Sequence, residues 1–208
     1  MSMTAMLRDH RKGAISLTEP YEASSVQGGI EYIRDKRHET LDDAATFFDE
    51  RHIWLEQFEQ FVVVMRSSYE LELSCFAYLL KDLPWDRGKA QELVLEGGFR
   101  QHLATALFFG MNPPGLDLYY HVEGHIPDNL VILRYEKLAA EIERHIASYL
   151  ESGYEVPHEN KSKHAPVGQV YDVELAALCY QRHKWFFDNG FYSRVTYPTP
   201  DALRDISQ

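Results

Sequence analysis

Cysteine and long hydrophobic runs are both scarce in this sequence. It has only two cysteines among 208 residues, Cys75 and Cys179, and both lie in apolar stretches with helical spacing. We therefore expect two buried thiols and no metal framework. No run approaches the roughly 18 apolar residues of a membrane span, and the start MSMTAMLRDHRKG lacks a signal-peptide core. These absences predict a soluble, cytoplasmic protein with no membrane partner.

Positive charge is also in short supply. The chain carries 21 Lys and Arg residues against 32 Asp and Glu residues, a formal net charge of -11. A protein with this excess of negative charge repels long polyanions, so we predict no nucleic-acid partner. A compact anion can still bind where donors converge locally.

The remaining composition is that of a globular protein, with 45% hydrophobic and 13% aromatic residues. The length predicts a single domain over residues 1–208. Residues 1–30 are polar, include the pair Gly28-Gly29, and are expected to be loosely organised.

Two apolar runs predict buried strands, Phe61–Met65 and Asn129–Tyr135. The first is β-branched and apolar on both faces, as in a central parallel strand. Helical patterns follow both runs, and the predicted helices are Ser67 to about Leu80, Lys89–Phe108, the segment with Leu138, Ile142, Ile146 and Tyr149 at helical spacing, and Asp172–Asn189. Strands that alternate with helices predict an α/β fold, in which a central parallel sheet is flanked by helices.

Arg66 directly follows the first predicted strand, and ligands of open α/β sheets bind beyond the carboxyl ends of strands. Ser67 is the expected N-cap of the next helix, and Glu70 completes a capping box. Ser74 lies about two turns further on, so Arg66 and Ser74 could share one phosphate at the helix N-terminus. The alternative is that Arg66 pairs with a nearby carboxylate and that Ser74 only packs.

The segment RSSYELELSCF resembles the 3′-phosphate-binding segment of sulfotransferases of the Golgi and bacterial carbohydrate type, which use 3′-phosphoadenosine 5′-phosphosulfate (PAPS). The family pattern is Arg-Asn-Pro-Tyr/Trp-Asp/Glu-Arg-Leu-x-Ser-x-Tyr after a hydrophobic strand. Arg66, Glu70 and Ser74 match it in register, whereas Ser67 and Ser68 replace Asn-Pro. VILRYEKL and the stretch from NKSKH to DNGFY are similar to two later family segments, so the resemblance covers roughly residues 36–192.

The resemblance implies a sulfotransferase fold related to P-loop nucleotide-binding proteins, with PAPS as co-substrate and adenosine 3′,5′-bisphosphate (PAP) as product. Arg66 and Ser74 are then expected to bind the 3′-phosphate. The loop Lys161, Ser162, Lys163 and His164 is expected to close over the nucleotide, although its composition alone also fits an exposed flexible loop.

The family's 5′-phosphosulfate loop has its nearest counterpart in RKGAISLTE. Lys12, Gly13 and Ser16 have the character of that loop, but its proline is missing and no clear apolar strand precedes it. Lys12 is the expected contact to the phosphosulfate and the bridging oxygen. The alternative is a mobile basic N-terminal segment.

Sulfuryl transfer to a hydroxyl needs a base for the acceptor proton, and histidine suits this role. By resemblance the expected base is His38, which follows a short basic stretch, with His52 in reserve. The alternative is that His38 belongs to a solvated charge cluster at a helix start. His121 and His125 have the i,i+4 spacing of metal ligands, but the glycine between them and the following proline argue against a helix, so we predict no metal site.

Taken together, the sequence predicts transfer of a sulfuryl group from PAPS to the hydroxyl of a small molecule or a modest glycan. A non-catalytic protein that binds PAP or another nucleotide, with a degenerate 5′-phosphosulfate loop, is the alternative. A kinase-like phosphoryl transferase is disfavoured, because no Gly-x-x-x-x-Gly-Lys-Ser/Thr motif is present. The sequence does not indicate the oligomeric state.

Overall fold

The computed structural model describes residues 40–80, 88–105, 115–156 and 164–194, together with the backbone of three short strands in residues 15–32. The strands are β1 (Ile15–Leu17), β2 (Val26–Gln27), β3 (Ile30–Tyr32), β4 (Phe61–Met65) and β5 (Leu130–Arg134). The α-helices are α1 (Leu41–Asp49), α2 (Ser68–Leu79), α3 (Gly88–Ala104), α4 (Leu138–His145), α5 (Val167–Val170), α6 (Val173–Arg182) and α7 (Lys184–Asp188). Single 3-10 turns lie at Leu55–Gln57, Leu116–Tyr119, Tyr135–Lys137 and Ala147–Tyr149.

The predicted α/β class is confirmed, and the described part of the chain is mostly helical. None of its described helices has both the length and the apolar character needed to cross a membrane. The backbone divides into two compact units, Met1–Met65 with Asp117–Lys161 and Arg66–Leu116 with Ser162–Gln208. The single domain over residues 1–208, the central parallel sheet flanked by helices and the sulfotransferase fold stay predictions.

The first unit holds all five described strands. Strand β3 pairs in parallel with β1 and antiparallel with β2. Strands β4 and β5 form a separate parallel pair, with Val63 opposite Ile132. The predicted bounds of β4 are confirmed, and those of β5 are confirmed to within one residue at each end.

The prediction that β4 is buried on both faces is wrong. Val62 and Val64 are 36% and 37% exposed, whereas Met65 is fully buried. Burial therefore alternates along the strand. A run of β-branched apolar residues fits a pleated strand, whether one face of the strand or both faces are buried.

The apolar residues at helical spacing after β5 contribute to a buried cluster of the first unit. Leu133, Leu138, Ile142, Ile146 and Leu150 form one buried cluster. Tyr149 differs from its predicted neighbours, because it lies at the surface and donates its hydroxyl hydrogen to Glu59 at 2.5 Å. This happens because α4 ends at His145 and a 3-10 turn then rotates the next side chains.

The second unit contains only helices among its described residues. Helix α2 fits its predicted range, but α3 contains a break at Gly98, whose φ of 65° and ψ of -157° only glycine adopts readily. The predicted uninterrupted helix Lys89–Phe108 is therefore wrong within its described part. Residues 106–108 lie outside the described residues.

The predicted helix Asp172–Asn189 is two helices. Asp172 caps α6 by accepting a hydrogen bond from the backbone N–H of Leu175 at 2.8 Å. At His183 the backbone leaves helical geometry, and α7 then runs to Asp188. The prediction of one helix missed this break because the apolar spacing continues through it.

The core of the second unit joins α2, α3, α5, α6 and α7. It contains Tyr69, Leu73, Leu103, Tyr171, Ala176, Cys179 and Phe187. Tyr69 and Tyr171 meet edge to face, with ring centroids 5.0 Å apart. Cys75 and Cys179 are both fully buried, which confirms the predicted buried thiols.

Candidate functional site

The structure describes the side chains of three of the predicted site residues: Arg66, Ser74 and His164. Ser16 lies in β1, of which only the backbone is described. The remaining predicted site residues lie outside the described residues: Lys12, Gly13, His38, Lys161, Ser162 and Lys163. Their predicted roles stay predictions.

Arg66 immediately precedes the N-cap of α2. Its Nη2 atom lies 3.5 Å from the Glu70 carboxylate, one turn into the helix. Ser67 occupies the N-cap position, as predicted, but its side chain makes no capping hydrogen bond. The capping hydrogen bond predicted for the Ser67 side chain is therefore wrong. The Glu70 carboxylate lies near Arg66 and His164.

His164 reaches the same carboxylate from a different part of the second unit. Its Nε2 atom is 3.3 Å from the Glu70 Oε2 atom that Arg66 contacts. Its Nδ1 atom is 2.9 Å from the carbonyl oxygen of Ala165, which can only accept. The Nδ1–H therefore donates to Ala165, and Nε2 donates to Glu70 when the ring is protonated.

We call Arg66, Glu70 and His164 the Glu70 cluster. Their side chains are 21%, 31% and 14% exposed, so the cluster is half-buried and open to solvent. Arg66 adjoins the first turn of a helix, where N–H groups and the helix dipole also favour an anion. Ser74 lies half-buried on the same helix, about two turns further along.

A second polar cluster lies wholly inside the same unit. Glu72 on α2 contacts His102 on α3 at 2.6 Å and His183 at 2.5 Å. The Nε atom of Arg182 lies 2.9 Å from the same carboxylate, and its Nη1 donates to the carbonyl oxygen of His102 at 3.1 Å. We call these four residues the Glu72 cluster.

The Glu72 cluster holds a buried charge. Burial alone raises the pKa of Glu72, but hydrogen bonds from His102 and His183 and the charges of His183 and Arg182 hold that pKa at about 2. Glu72 and His102 are fully buried, so they are not in a position to meet a substrate. The cluster therefore connects α2, α3 and the α6–α7 break through one ionised carboxylate.

The Glu72 cluster was not predicted, although the sequence carries a signal for it. Tyr69, Glu72, Leu73 and Leu79 are all buried, so Glu72 interrupts the apolar stripe of α2. A carboxylate in such a stripe needs partners, because an unpaired buried charge is very costly. Its partners come from two other helical segments, and the sequence alone does not indicate which ones.

The pair His121 and His125 lies in a turn of the first unit. Glu123 and Gly124 have φ values of 50° and 83°, so the segment is not helical. The Nδ1 atom of His121 accepts from the Gly124 N–H at 3.2 Å, and its Nε2 lies 3.0 Å from Asp117. Within the described ranges no group of three or more His, Cys, Asp or Glu side chains could hold a metal ion.

Comparison with known proteins adds no relative. No family model matches the chain, and neither the curated proteins nor the solved structures include a significant match. The resemblance to PAPS-dependent sulfotransferases thus stands on its sequence motifs.

Proposed function

We propose that the chain binds PAPS and transfers its sulfuryl group to an acceptor hydroxyl, releasing PAP. The observation that carries the proposal is the meeting of Arg66 and His164 on one carboxylate at the first turn of α2. The resemblance assigns both residues to the nucleotide, and they lie far apart in the sequence. Two independent motif matches at one helix start support a common anionic ligand.

The chemistry of the proposed ligand suits this end of α2. A 3′-phosphate is a dianion near neutral pH, and the Arg fork can hold two of its oxygens. The family pattern has a second Arg at the position of Leu71, so Arg66 is the one guanidinium that this motif supplies. Ser74 would add a hydroxyl donor to the same phosphate.

The transfer itself would form a bond from the acceptor oxygen to sulfur while the bond from sulfur to the 5′-phosphate oxygen breaks. In the proposal His38 takes the acceptor proton, and Lys12 stabilises the negative charge on the leaving phosphate. The acidic composition favours a small molecule or a modest glycan as acceptor. PAPS is the co-substrate, and the proposal needs no metal.

The first test is calorimetric titration with PAP, 5′-AMP and ATP. We expect wild type to prefer PAP, and Arg66→Ala to lose that preference with a fall in PAP affinity of roughly tenfold to a hundredfold, since a charge-assisted hydrogen-bonding group is removed. Arg100→Ala is the matched control, because Arg100 is an exposed Arg of the same unit.

A wild-type protein with no preference for PAP over 5′-AMP would contradict the proposal at its starting point. If PAP binds through Arg66, incubation with PAPS and a panel of hydroxyl acceptors then separates an enzyme from a nucleotide-binding protein. Product formation that is lost in His38→Ala supports the sulfotransferase. Binding with no product from any acceptor would favour the non-catalytic alternative.

A further inference from the structure

The Glu70 carboxylate lies where the proposed phosphate would bind. The Glu70 Oε2 atom lies 3.5 Å from Nη2 of Arg66 and 3.3 Å from Nε2 of His164. Both separations are longer than the 2.7–2.9 Å typical of strong charge-assisted hydrogen bonds. The carboxylate thus faces a guanidinium and an imidazole without being tightly held by either.

We propose that Glu70 is a built-in competitor for the anion, and that a phosphate monoester displaces its carboxylate from Arg66 and His164 on binding. This inference rests on the proposed function, because it concerns the same anion site. The ligand is a compact phosphate monoester dianion, which replaces one negative charge by two and offers more acceptor oxygens.

Geometry makes the displacement inexpensive. Glu70 is 31% exposed, so its carboxylate can turn into water when the phosphate enters. A half-exposed ion pair also contributes little free energy, because water already screens it. Rotation about the Glu70 side chain is sufficient, and helix α2 need not move.

The groups around Glu70 do not hold its carboxylate in place once a phosphate binds. Arg66 is on its own helix start, and His164 is in the segment before α5. Glu72, His102 and His183 are buried in the unit's interior, and Arg182 is partly buried beside them, so Glu72 already has short contacts of its own. A bound phosphate and an unmoved Glu70 carboxylate would repel each other beside Arg66 and His164.

The test compares Glu70→Gln with Glu174→Gln in the full chain. Both variants remove one negative charge from the second unit, but Glu174 pairs with Arg100 on its exposed surface. The probes are PAP, 5′-AMP and inorganic phosphate, titrated by calorimetry. We expect Glu70→Gln to bind PAP and inorganic phosphate between about threefold and tenfold more tightly than wild type, and Glu174→Gln to bind them with nearly wild-type affinity.

Two further variants make the test independent of folding and of general charge. Glu70→Asp keeps the charge on a shorter side chain, and its PAP affinity should lie between those of wild type and Glu70→Gln. In the double variant Arg66→Ala with Glu70→Gln, the gain over Arg66→Ala alone should shrink, since the main cation is missing. Circular dichroism and thermal unfolding establish that each variant is folded.

The outcomes separate this inference from the proposed function. If wild type prefers PAP through Arg66 but Glu70→Gln binds PAP no more tightly than Glu174→Gln, Glu70 is not a competitor. The proposed function is then unaffected. If Glu70→Gln gains affinity for inorganic phosphate while PAP binds no better than 5′-AMP, Glu70 does compete with a bound anion. The proposed PAPS-dependent function is then wrong. If neither wild type nor Glu70→Gln binds any of the probes, the role of Glu70 and the proposed function are both wrong.

Discussion

Two carboxylates two residues apart on α2 have opposite surroundings. Glu72 is fully buried and has three cationic or imidazole partners within 2.9 Å. Glu70 is 31% exposed and has its two partners at 3.3 and 3.5 Å. The same helix therefore carries one closed ionic cluster and one open one.

The difference indicates which cluster supports the fold and which is suited to a ligand. Water cannot compensate for a lost partner of Glu72, so that cluster must stay intact for the helices to stay packed. Water can replace either partner of Glu70, and an external anion can do so as well. One side of α2 thus carries the Glu72 cluster, which holds the helices together. The opposite side carries the Glu70 cluster, where an external anion can replace the carboxylate.

Removal of the buried carboxylate should give the largest effect. We expect Glu72→Ala to lower the free energy of unfolding by about 3–5 kcal/mol, because it leaves Arg182, His102 and His183 without their shared acceptor. Glu72→Gln should lose less, since it keeps the volume and one acceptor oxygen. Urea unfolding measures both, and Glu70→Gln is the control.

The expected change for Glu70→Gln is below about 1 kcal/mol, as for other partly exposed pairs. Equal losses of stability for Glu72→Ala and Glu70→Gln would contradict the distinction between the two clusters.

The stability that Glu72 contributes should depend on pH in the acid range. The pKa of Glu72 falls from 4.5 to about 2 in the folded chain, so its ionised form contributes stability above about pH 4.5. This contribution is lost as the pH falls through that window towards about 2, and it amounts to something on the order of 3 kcal/mol. The difference in unfolding free energy between wild type and Glu72→Gln should therefore shrink between about pH 5 and pH 3.

Measurement of that difference against pH isolates Glu72 from the other groups that titrate in acid. A difference that stays constant down to about pH 2 would show that Glu72 does not supply the acid dependence. The same subtraction with Glu70→Gln is the comparison for the open cluster.

Local sequence patterns predicted β4, β5, α2 and α4, but they did not predict β1, β2, β3 or α1. The predicted strand Phe61–Met65 and the predicted helix start near Asp172 agree with the structure, because strand and helix starts depend on near neighbours. The break at Gly98 was missed, because a glycine inside a helical pattern is compatible with either outcome. The exposed Val62 and Val64 were missed because apolar character does not show which face is covered.

In the candidate site, single residues were predicted from the sequence, but the contacts between them were not. Arg66 and His164 were singled out from motifs, but their meeting on Glu70 depends on chain segments far apart in sequence. The partners of Glu72 come from α3 and from the α6–α7 break, and no spacing rule connects those positions. Pairwise contacts between distant helices are therefore the part that sequence reasoning could not supply.

A third carboxylate completes the comparison and should give the smallest effect. Both terminal nitrogens of Arg100 lie 2.7 and 2.6 Å from one Glu174 oxygen, closer than any contact of Glu70. However, the two side chains are 59% and 71% exposed, so screening by water cancels most of the attraction. We expect Glu174→Gln to change the unfolding free energy by less than about 0.5 kcal/mol, and added salt to reduce this further. Urea unfolding at low and high salt measures it, and a loss near that of Glu72→Ala would mean that contact distance, rather than burial, sets the strength of these pairs.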